Sequence, residues 1–151
     1  MDYLKYFKLI RFWVRIKYAI TLEELELLLF LNSEKVFNQN RLKMAKIGMR
    51  WNHRLIDELI KRGLIGQLRE KPTKLYALTP HARHIINAVY RKLNGEEEMR
   101  TDPRSNPIYT PNGPYSYRRY RVMADDFNEV IKQRRRRAQE SQGKDGPQSS
   151  T

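Results

Sequence analysis

Apolar side chains recur at helical spacing from the start of the chain. Over residues 3–18, Leu4, Phe7, Ile10 and Val14 fall on one line with Tyr6, Trp13 and Ile16 beside it. Lys5, Lys8, Arg11 and Arg15 share one narrow polar stripe. A helix this apolar needs cover on more than one side, and in a small domain that suggests a partner subunit as well as its own core. Thr21 with Glu24 three residues on spells a capping box. The helix it opens, about 22–32, carries Leu25, Leu27, Leu28, Leu29, Phe30 and Leu31, the density of a buried central helix. A third helix is predicted over 38–47 (Leu42, Met44, Ala45, Ile47), with Asn38 as its cap and Gly48 as its break. A fourth is predicted over 50–62, with Trp51, Leu55, Ile56, Leu59 and Ile60 facing inward and Gly63 stopping it.

Two short β-forming segments follow, Leu64–Arg69 and Lys74–Leu78, and Pro72 belongs to the turn between them, so they predict a hairpin. Thr79-Pro80 is a helix start, Thr as cap and Pro at the first helical position. The helix over 80–94 presents Ala82, Ile85, Ile86, Val89, Tyr90 and Leu93 inward, and Asn94-Gly95 closes it. Residues 1–95 thus read as one domain, mainly α with a small β-hairpin, in the order of a winged helix-turn-helix.

Beyond Gly95 the composition changes. Pro103, Pro107, Pro111 and Pro114 interrupt residues 96–121, where Tyr109, Tyr115, Tyr117 and Tyr120 also stand, so this stretch predicts an extended linker or arm. Helical spacing returns over 124–138 (Phe127, Val130, Ile131), within a short basic C-terminal helix assigned to 122–140 that carries Arg134, Arg135, Arg136 and Arg137. Residues 141–151 read as a disordered polar tail.

Charge changes this picture most. The 151 residues hold 30 Lys+Arg against 17 Asp+Glu, a formal net charge of +13. Residues 21–40 hold four acids and one base, whereas 41–80 hold ten bases and three acids. A surface of mixed, merely solvated charge would not swing this way, so 41–80 is expected to face an anion, most commonly nucleic acid. Cysteine is absent, which excludes disulfides, thiol nucleophiles and Cys-ligated zinc. No apolar run reaches a membrane span, and the basic N-terminus does not read as a secretory signal. A cytoplasmic, soluble protein without a cofactor or metal is expected.

The second helix of a helix-turn-helix is narrow enough for the major groove, its inner face apolar and its outer face supplying contacts. The outer positions here are Arg50, His53, Arg54 and Asp57, with Asn52 at the edge. Arg can read guanine and Asn adenine, and either can hold a phosphate. Arg69, Lys71 and Lys74 lie around the hairpin tip, and Lys43 and Lys46 precede the recognition helix at the groove edge. Lys61 and Arg62 suit the helix dipole and are given no DNA role.

The run Arg54-Leu55-Ile56-Asp57-Glu58-Leu59-Ile60-Lys61-Arg62-Gly63-Leu64-Ile65 resembles the recognition-helix-to-wing segment of MarR-like winged-helix regulators. Tyr76-Ala77-Leu78-Thr79-Pro80-His81-Ala82-Arg83 is similar to their second wing strand and following helix start. The likeness spans roughly 3–94; this wing is shorter, and Ala82 stands where a glycine is usual. It implies a dimeric transcriptional regulator on double-stranded DNA, the N-terminal helix serving dimerisation. The C-terminal region is foreign to that family. Its Arg118, Arg119, Arg121 and Arg134–Arg137 could track nucleic acid, with tyrosines stacking on bases, or dock on another protein through 101–137, or remain a solvated tail.

Catalysis has little support: there is no Gly-rich phosphate loop and no HExxH spacing, and His81 and His84 flank a buried face as surface groups. The rival reading is a structural or adaptor subunit of phage or mobile-element type, with the arm holding neighbouring proteins.

Overall fold

The computed structural model describes residues 3–48 and 54–144. A 3-10 turn (Tyr3–Tyr6) leads into α1 (Phe7–Tyr18), followed by α2 (Leu22–Leu31), β1 (Phe37–Asn38), α3 (Gln39–Ala45) and α4 (Arg54–Lys61). Then come β2 (Ile65–Arg69), β3 (Leu75–Leu78), α5 (Pro80–Leu93), a 3-10 turn (Pro107–Tyr109) and α6 (Tyr117–Lys144). The fold is mainly helical with one small antiparallel sheet. Two compact units divide it: Val14–Tyr90, and the described residues up to Trp13 together with those from Arg91 onward. The 1–95 domain expected from sequence therefore loses both ends to the second unit.

Within the Val14–Tyr90 unit the local signals act as expected. Thr21 Oγ1 accepts the Glu24 N–H at 3.2 Å while the Glu24 carboxylate accepts the Thr21 N–H at 3.3 Å. Asn38 Oδ1 caps α3 through the Arg41 N–H at 3.0 Å, and Thr79 Oγ1 caps α5 through the Ala82 N–H at 3.1 Å. Gly48 (φ +83°) and Gly63 (φ +72°) follow α3 and α4 in left-handed conformation, where a side chain would be strained. Leu27, Leu28, Leu31, Leu59, Ile85 and Ile86 are fully buried at the centre. Arg62 joins α4 to α2, donating to Glu24 at 2.8 Å and to the Ala19 carbonyl at 2.5 Å.

The sheet contains a strand the sequence pattern did not disclose. β1 pairs with β3 (Phe37 opposite Tyr76) and β3 with β2 (Ile65 opposite Leu78), giving the order β1-β3-β2. Two residues are too few for a period-2 pattern, and Phe37 is buried against Tyr76 across the pair. Some residues expected inside are outside: Ile47 is 79 % exposed, and Met44, Tyr90 and Leu4 are also exposed.

The second unit corrects the reading of the C-terminal region. Residues 96–116 form no strand, as the prolines require, but neither do they extend as an arm. Met99, Asn106 and Ile108 are buried. Asn128 on α6 accepts the Met99 N–H at 2.7 Å and donates to the Met99 carbonyl at 2.8 Å. Asn106 donates to the Arg100 carbonyl at 2.9 Å and caps the 3-10 turn. Proline removes regular hydrogen bonding but not the ability to dock, and amide side chains replace the missing ladder.

α6 begins at Tyr117 and runs to Lys144, so it is longer at both ends than the helix expected over 122–140, and 141–144 are helical. Its N-terminal tyrosines pack on Phe12 in the middle of α1. The Tyr120 ring stacks on Phe12 at 3.6 Å and Tyr117 meets Phe12 edge-on at 5.4 Å. Tyr6 meets Phe127 edge-on at 5.2 Å and donates to Asp126 at 2.7 Å. Tyr6, Leu9, Ile10 and Trp13 are buried in the single chain. Part of the cover this apolar segment needs comes from α6, whose rings meet Tyr6 and Phe12.

Candidate functional site

Among the described bases of 41–80, Arg41, Arg62 and Arg69 hold side chains or carbonyls of the fold itself. Arg41 pairs with Glu34 and lies over the Phe30 ring. Arg62 holds Glu24. Arg69, one of the expected wing contacts, donates to Thr73 Oγ1 at 3.2 Å and stiffens the hairpin loop while staying exposed. These guanidiniums serve the fold first.

Lys43, Lys46 and Lys74 come together. They line a groove of about 270 Å³ with Gln39, Leu42, Ile56, Asp57 and Tyr76, so that α3, α4 and β3 each supply one wall. Leu42, Ile56 and Tyr76 are buried and form the apolar floor, which anchors the helices while the ammonium groups rim the opening. Burial, and after it the neighbouring Lys43 charge, holds the Lys46 ammonium below the ordinary lysine value of 10.5. Among the described residues, Asp57 is the one acid lining the groove, against three lysines. Lys74 also lines an adjoining groove of about 360 Å³ with Asn38, Gln39, Asn40, Glu70, Pro72 and Thr73. Gln39 and Asn40 were missed from sequence: their place in the first turn of α3 was legible, but only the β1–β3 pairing sets that turn beside the hairpin.

Arg54 is exposed on α4, and Lys71 is exposed in the hairpin loop. Arg50, Asn52 and His53, expected on the same helix, lie outside the described residues, as does Trp51. His81 and His84 are exposed as expected. Among the described residues no helix is long and apolar enough to cross a membrane, and no group of three or more metal-ligating side chains comes together.

The expected C-terminal contacts separate into two kinds. Arg134 donates to the Asn94 carbonyl at 2.9 Å. Arg135 donates to Glu98 at 2.7 Å and to the Glu96 carbonyl at 2.9 Å. Arg118, Arg119, Arg136 and Arg137 are exposed and Arg121 is half-buried.

The chain matches no family, no curated protein and no solved structure.

Proposed function

We propose that this protein binds double-stranded DNA through a winged helix-turn-helix, with α4 entering the major groove and Lys43, Lys46 and Lys74 holding phosphates at its rim. The observation that carries this reading is the groove in which α3, α4 and β3 converge three ammonium groups around an apolar floor. Helix, strand, two helices and a hairpin, with β1 paired to β3, is the order a winged helix requires, and it supports the reading. α4 has the shape for such a role: Ile56 and Leu59 face the core while Arg54, Asp57, Glu58 and Lys61 face solvent. A transcriptional regulator is the role this arrangement fits best. We propose it as a dimer, with two recognition helices on half-sites about one helical turn apart.

Binding to a random-sequence duplex, followed by fluorescence anisotropy across a salt series, tests it. Neutralising two phosphate contacts with Lys43→Gln/Lys74→Gln is expected to lower the slope of log K against log salt by about 2. An unchanged slope removes the groove as the DNA face and returns the adaptor reading. Selection of bound genomic fragments then separates a regulator, which enriches a motif, from a non-specific binder.

A further inference from the structure

α6 makes its last buried contact at Ile131. Every residue from Lys132 to Lys144 is exposed, although the helix continues to Lys144, roughly 14 Å past Arg135. That segment holds six Lys or Arg against one Glu. A helix this polar on all sides gains nothing from packing, and four consecutive arginines repel one another. Arg134 and Arg135 account for their own presence, since their bonds to Asn94, Glu96 and Glu98 tie α6 to the segment that follows α5. Arg136 and Arg137, on the opposite side of the turn, are exposed and make no ion pair among the described residues.

We propose that the projecting part of α6 is a second, sequence-independent contact to duplex DNA, with Arg136 and Arg137 on backbone phosphates. The chemistry selects this partner. No aromatic residue follows Phe127, so the segment offers no ring for an unpaired base to stack on. No apolar residue larger than Ala138 follows Ile131, so it has no face to insert into a lipid surface. A bare helix about 10–12 Å across fits the major groove of B-form DNA, about 12 Å wide, and is excluded from the deep, narrow groove of A-form RNA. The inference shares its ligand with the proposed function but rests on a separate set of side chains.

The test uses full-length protein on a random duplex. Arg136→Gln/Arg137→Gln is expected to lower the salt slope by about 2, so that the ratio of wild-type to variant affinity shrinks roughly tenfold between 50 and 200 mM salt. Arg136→Lys/Arg137→Lys keeps the charge and is expected to keep the wild-type slope; circular dichroism monitors the helix in both. An unchanged slope in the Gln variant of a DNA-binding wild type overturns this inference alone, and an acidic protein surface becomes the partner to seek. A reduced slope there, with an unchanged one in Lys43→Gln/Lys74→Gln, overturns the groove reading alone. Wild-type protein that ignores duplex DNA, or yields it to single-stranded DNA at equal phosphate concentration, overturns the α6 contact as stated.

Discussion

Replacing Asn128 by alanine tests whether residues 96–110 are part of the folded structure. The Asn128 amide pairs with both backbone groups of Met99, at 2.7 and 2.8 Å, and Met99 is 2 % exposed. The alanine variant strips partners from a buried N–H and a buried carbonyl at once. An unsatisfied buried group costs roughly 1–3 kcal/mol, so the pair amounts to about 2–6 kcal/mol, with relaxation favouring about 3. Urea unfolding should show a lower midpoint with a similar slope, and amide exchange at Met99 should accelerate. Asn128→Asp sharpens the test, because its carboxylate keeps the acceptor but turns a second acceptor toward the Met99 carbonyl. Protonation restores a donor, so the folded state raises that carboxyl's pKa; stability should therefore be highest at low pH and fall as pH rises through the unfolded and then the folded pKa. Alanine stability within about 0.5 kcal/mol of wild type would refute the docked segment and restore the extended arm.

Two further outcomes follow from titrating groups. Lys46 is held below the ordinary lysine value of 10.5 by burial and by Lys43, and a bound phosphate would raise it again. DNA binding should then take up a proton in alkaline solution, so affinity should fall as pH rises through the lowered pKa, and less so in Lys46→Arg, whose charge persists; parallel pH profiles would contradict this. Burial and the hydrogen bond to Asp126 push the Tyr6 hydroxyl up to about 12 from 10.0. The folded state keeps that proton longer than the unfolded chain, so this contribution is whole below pH 10 and is lost as pH rises toward 12. Tyr6→Phe should remove a late step from the tyrosine absorbance titration; an unaltered titration would place Tyr6 in solvent.

The sequence by itself determined the elements whose causes are local. Thr21 with Glu24, Asn38, Thr79-Pro80, Gly48 and Gly63 act within a turn or two of themselves, and the helices they bound stand within a few residues of expectation. The basic surplus of 41–80 was legible as a sum, because charge is additive along a chain. How that surplus divides was not. Arg62 and Lys74 look alike in sequence; one is drawn to a carboxylate 38 residues away and the other to a groove rim. β1 exists only because β3 returns beside it, and α6 reaches back to Tyr117 only because Phe12 offers its rings a surface. Pairing and packing of this kind depend on residues distant in the chain, whose meeting no local pattern encodes; the tertiary structure alone decided where the cations point.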